Sequence, residues 1–200
     1  MTVARELVQQ KRLVNWINDH LCRSFPVDEK SQLALACFDL AIEHHAAVVL
    51  LGDSGLYGSL YALLRVEFEA YGRGLWLRHV ASEQEAKNFK KDRVNLSFGS
   101  MLEVVEKQIG LETGPLSTMK RNNWQIFCSL THTGSQAIVR RINATHTGLV
   151  NYPEAEVVSA LHVAGTFALL SATELSGLSG ETSLVNLALE KAQAYANNES

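Results

Sequence analysis

Residues 58–79, GSLYALLRVEFEAYGRGLWLRH, are apolar on two sides when wound as a helix. An advance of about 100° per residue puts Leu60, Leu64, Phe68, Tyr71 and Leu75 on one side, and Leu63, Val66, Ala70 and Leu77 on another. Between them runs a narrow line of Arg65, Glu69 and Arg73, at four-residue spacing. A helix with two apolar sides is enclosed by protein. Charges on it cost on the order of a few kcal/mol each unless paired. The spacing lets Glu69 reach both arginines. The line is therefore either an internal ion-pair network serving helix packing or a site in which Arg65 and Arg73 hold an anion and Glu69 orients them.

The rest of the pattern is also helical. An amphipathic stretch covers about residues 3–21, and a turn follows through Ser24-Phe25-Pro26. A second helix spans about 29–51, and Gly52-Asp53-Ser54-Gly55 turns the chain into the third, which ends near Val80. Ser82 and Glu85 form a capping box opening a short polar helix. Further helices are expected over about 101–109, from Ser117 to the Thr131-His132-Thr133-Gly134 segment, over about 135–144, from Pro153 to about 175, and from Ser179 or Gly180 to near Tyr195. Ala160, Ala164, Ala168 and Ala172 recur every four residues, which lets another helix approach closely. Gly72 and Gly74 stand inside the third helix, where they admit a close helix or the bulk of Trp76. The expected fold is all-α, a single domain over residues 1–200, a bundle of about six to eight helices with the second and third at its centre.

Composition adds bounds. The chain has 200 residues, 46% hydrophobic and 20% charged, enough for a real core. A net charge of −3 gives no electrostatic case for a broad nucleic-acid surface. Cys22, Cys37 and Cys128 are far apart, without metal or redox spacing, which points to a reducing compartment. Residues 33–51 are interrupted by Asp39, Glu43, His44 and His45. Residues 157–173 carry His162 and are flanked by Glu156 and Glu174, with no Lys or Arg anchor. Both stretches read as core helices rather than membrane spans. The N-terminus lacks the apolar core of a secretory signal, so a cytoplasmic protein without a membrane partner is expected.

Three constellations could carry chemistry. The first is the Arg65–Glu69–Arg73 line. The second lies on the preceding helix, where Asp39 and Glu43, one turn apart, are expected to face the line as an opposing wall, while His44 and His45 point to different apolar sides. Glu43-His44-His45 lacks the Glu-x-x-His spacing of a di-metal carboxylate bundle, and no metal site is expected. The third is residues 130–148, with His132 beside two hydroxyls and a glycine and an Arg-x4-His spacing from Arg141 to His146. If this segment packs on the charged line, His132 joins Arg65, Glu69 and Arg73 in one pocket, where an imidazole can sense or move a proton. No glycine-rich phosphate loop, Cys/His zinc pattern, Gly-x-Ser-x-Gly elbow or His-Glu-x-x-His motif is present, so no cofactor is implied.

Two resemblances bear on these residues. The Arg141…His146 spacing is similar to the motif of the HEPN superfamily of all-helical proteins, which includes metal-independent ribonucleases. That resemblance implies a homodimer in which Arg141 stabilises phosphate charge and His146 moves a proton on RNA, in a stress or phage-defence setting. The chain departs from the pattern at Ile142, where a polar residue is usual. The blocks LALACFDLAIEHHAAVVLL, LLRVEFEAYGRGLWLRHVAS and SLTHTGSQAIVRRI resemble an uncharacterised bacterial helical family with an Arg-x3-Glu-Ala-Tyr-x-Arg-Gly-x-Trp-Leu block and a Thr-His-Thr-Gly block. They cover roughly residues 33–151 and imply a shared site or core at Arg65, Glu69, Tyr71, Arg73, Trp76, His132 and Gly134. Two readings follow: an interaction or small-anion-binding module at Arg65, Glu69, Arg73 and His132, or a HEPN-like ribonuclease. The slight acidity and the departure at Ile142 favour the first.

Overall fold

The computed structural model describes residues 2–21, 28–111, 114–142 and 152–197. Among these it forms α1 (Val3–His20), α2 (Glu29–Asp53), α3 (Tyr57–His79), α4 (Glu83–Phe89), α5 (Phe98–Gln108), α6 (Pro115–Thr131), α7 (Ser135–Val139), α8 (Glu154–Ser179) and α9 (Thr182–Ala196), with no strand among the described residues. Local chemistry sets most starts. Asp28, Ser82 and Ser97 each accept a backbone N–H of the first turn, satisfying donors that a helix start leaves open. At Ser82 both halves of the capping box form, with Glu85 accepting from the Ser82 N–H at 2.8 Å. The buried Glu106 carboxylate of α5 caps α6, accepting from the N–H groups of Leu116 and Ser117. That cap lets α6 begin at Pro115, ahead of the expected Ser117.

Close approaches fix helix direction. A Cβ on Gly52 would sit 3.3 Å from Leu60, and one on Gly74 would sit 2.6 Å from Phe38, so α2 and α3 run antiparallel. Gly72 similarly admits Phe98 and Leu102 of α5. The interior glycines of α3 therefore receive rings and aliphatic groups from α2 and α5, and Trp76 is not what fills them. Phe167 of α8 stacks on Phe68 at 5.0 Å and meets Tyr71 at 5.7 Å, while Glu174 holds Arg78 near the other end of α3. These contacts run α8 parallel to α3 and add it to the centre that the hydrophobic pattern assigned to α2 and α3 alone. The alanine row of α8 is buried, within the monomer. By length and composition α2 and α8 could cross a bilayer. Here their buried faces form the core against α1, α3 and α9.

Candidate functional site

The charged line of α3 is paired as its spacing requires. Arg65 Nε donates to Glu69 Oε1 at 2.8 Å and Arg73 Nη2 donates to Glu69 Oε2 at 2.9 Å, so each carboxylate oxygen takes one guanidinium. The shielding is graded: the side chains of Arg65 and Glu69 are 18% exposed and that of Arg73 is 40% exposed.

His132 does reach this line, and the chain around it explains how. Thr131, the last residue of α6, donates its hydroxyl to the Ala62 carbonyl of α3 at 3.1 Å. Thr133 then adopts a left-handed φ of 57°, and Gly134 N–H returns to the Ser129 carbonyl at 2.7 Å. A Cβ on Gly134 would lie 3.0 Å from the Ser129 backbone, so this close return requires glycine. The Thr-His-Thr-Gly block is thus a helix-ending turn that sets His132 against Arg65, whose Nη1 contacts His132 Nε2. A guanidinium only donates, so in this contact the imidazole Nε2 is the accepting atom. Arg65 also lies over the Trp124 ring, 4.7 Å from its centroid, and Phe98 stacks with Trp124 at 5.4 Å. Lys120 approaches the same indole at 5.1 Å.

The two arginines therefore differ in availability. Arg65 is engaged by Glu69, His132 and Trp124. Among the described residues Arg73 donates to Glu69 alone, and it lines an open groove of about 490 Å³ between α2 and α3. Leu33, Ala36, Cys37, Leu40 and His44 form the α2 side of that groove. Asp39 and Glu43 are not the wall opposite the arginines. Glu43 instead lines a separate cleft with Val14, Ile17 and Asn18 of α1, and Asp39 precedes it by one turn on the same stripe. Antiparallel pairing had implied which helix faces α3 but not its rotation about its own axis. Burial pushes the Cys37 thiol up to about 11, opposed by the Arg73 charge, so it stands in the groove as a neutral thiol. Burial also lowers the His44 pKa, partly offset by Glu43.

Of the Arg141 and His146 pair, His146 lies outside the described residues. Arg141 is exposed, and a Cβ on Gly58 would lie 3.0 Å from its guanidinium. Its neighbour Arg140 pairs with Glu156 at 2.7 Å and lies over the Tyr61 and Tyr152 rings.

A second polar cluster, in the interior, was not anticipated. Gln10 of α1 donates to Glu6 at 2.6 Å and to the Tyr195 hydroxyl at 2.7 Å. Tyr195 donates in turn to the His162 carbonyl at 3.0 Å, and its ring stacks on that of His162. With both amide protons of Gln10 used, its oxygen must accept from His45 Nε2 at 2.8 Å, which fixes His45 as the neutral Nε2–H tautomer. Burial lowers the His45 pKa to about 4, consistent with that neutral ring. Glu67 is fully buried, neither of its carboxylate oxygens has a hydrogen-bond partner among the described residues, and burial raises its pKa well above the ordinary value. One signal was available for Glu67: it follows Leu60 and precedes Gly74 by seven residues each, which puts it on the side of α3 opposite Arg65, Glu69 and Arg73. No group of three or more His, Cys, Asp or Glu among the described residues could hold a metal ion.

No curated protein and no solved structure matches the chain. A family model does match, and its span takes in α3, the His132 turn and the C-terminal helices while leaving α1 outside. By that match over residues 38–198, the chain belongs to the family of unknown function DUF6988.

Proposed function

We propose that the protein is a binding module for a small anion, with Arg73 as the contacting residue and Arg65, Glu69 and His132 as the frame that orients it. The observation that carries this reading is the asymmetry of the charged line. Arg65 uses its Nε and Nη1 donors on Glu69 and His132 and lays its guanidinium face on Trp124, whereas Arg73 is tethered by one hydrogen bond and presents the rest of a planar fork. Two guanidinium charges against one carboxylate leave the line net positive, in a chain whose overall charge is −3. Tethering lowers the ordering cost of binding, because Glu69 already fixes the Arg73 rotamer.

Thermal unfolding in increasing inorganic phosphate and sulfate tests the proposal. A ligand at ten times its Kd adds about 1.4 kcal/mol to stability, a rise of roughly 3–5 °C for a chain of this size. Wild type should gain that increment, and Arg73→Lys should fold normally but lose most of it, because lysine lacks the planar fork. No response to either anion up to tens of millimolar, or an equal response in Arg73→Lys, would overturn the reading.

A further inference from the structure

The groove into which Arg73 opens is too apolar and too large for an inorganic anion alone. Its remaining walls are the aliphatic side chains of Leu33, Ala36 and Leu40 on α2, Val66 and Ala70 on α3, and the ring of Phe89 on α4. Leu40 is 43% exposed and Ala36 is exposed, so apolar surface here faces water. The polar groups of this lining are Arg73, Glu69, His44 and the Cys37 thiol. Both Glu69 oxygens are held by arginines, and the shifts of His44 and Cys37 favour their neutral forms. The charge offered to a ligand is therefore the Arg73 guanidinium. About 490 Å³ falls within the roughly 300–1,000 Å³ typical of organic ligands.

We infer that the ligand is an amphipathic organic anion, with a carboxylate or phosphate head on Arg73 and an alkyl tail along the α2–α3 groove. The inference rests on the anion-binding reading above and adds the tail. Head and tail make separable contributions: a fully buried methylene tightens binding about fourfold, and a half-open groove should deliver about twofold.

Calorimetric titration with butanoate, hexanoate, octanoate and decanoate, each kept monomeric, reads the tail, and inorganic phosphate reads the head. Wild type should show affinity rising about two- to fourfold per added methylene, with octylammonium binding at least tenfold more weakly than octanoate. Arg73→Lys should weaken the whole series while keeping its slope. Leu40→Gln, at an exposed position where folding is unaffected, should flatten the slope and leave phosphate affinity unchanged. A flat series with phosphate binding intact would overturn the tail assignment and leave the anion reading standing, whereas failure of every anion would overturn both. Equal binding of octylammonium and octanoate would overturn the role of Arg73 as head contact. Sedimentation velocity closes the remaining route: a dimer abolished by Leu40→Gln, together with a flat series, would assign the groove to a second copy of the chain and overturn the proposal.

Discussion

Glu67 should make the protein less stable as pH rises through the range above the ordinary carboxylate pKa, and Glu67→Gln should remove that dependence. Its side chain is fully enclosed with neither oxygen hydrogen-bonded among the described residues, so the folded state holds the neutral acid. The unfolded chain releases that proton near the usual glutamate value of about 4.3, while the folded chain keeps it to a much higher pH. Between the two values the folded state binds one more proton than the unfolded state. The slope of stability against pH is then negative, about −1.4 kcal/mol per unit from this group. Gln has the same shape and cannot ionise, so the two proteins should agree within about 1 kcal/mol near pH 4.5. They should then diverge with rising pH, the variant becoming the more stable. Urea unfolding in half-unit steps from pH 4.5 to 8, with m-values compared to confirm an unchanged transition, measures this. Parallel profiles, or a variant less stable at pH 8, would mean that Glu67 is ionised in the folded protein and would refute the reasoning.

Two further outcomes follow from the core. His45 carries the opposite dependence, because its folded pKa of about 4 lies below the unfolded value of 6.5. Its contribution is lost as pH falls across that window, about 3 kcal/mol in all, and His45→Gln should flatten the acid limb of the same urea series. Gly74→Ala brings a Cβ to 2.6 Å from the buried Phe38 ring. Overpacking of about 1–3 kcal/mol should outweigh the helix-propensity gain of about 1 kcal/mol. In a double-mutant cycle, Phe38→Leu should recover part of that loss, and strict additivity would contradict the contact.

Much of this architecture was legible in the sequence wherever the cause was local. The Ser82–Glu85 capping box, the pairing of Glu69 with arginines one turn away on either side, and the glycines that admit close packing in α3 depend on spacing within a few residues, and each forms. The features that were missed depend on how distant helices rotate and dock. Asp39 and Glu43 had the right helix but the wrong face. Glu6 and Gln10 look like ordinary polar positions on an amphipathic helix, and they become interior only because α8 and α9 bring His162 and Tyr195 over them. His132 contacts Arg65 through a turn that owes its form to Thr133 and Gly134 just beyond the end of α6. The difference in availability between Arg65 and Arg73 could not be read from the line itself, because it arises from Trp124 on α6 and His132 in the turn that follows it, far along the chain.

The claim that Arg73 is the contacting arginine is tested most directly by following the side-chain Nε–Hε resonances of Arg65 and Arg73 in a nitrogen-15 spectrum, assigned with Arg65→Lys and Arg73→Lys, while inorganic phosphate is added. A saturable shift of the Arg73 resonance is expected, with that of Arg65 nearly fixed because its Nε–H remains bound to Glu69. A larger shift at Arg65, or no saturable shift at either residue, would contradict it.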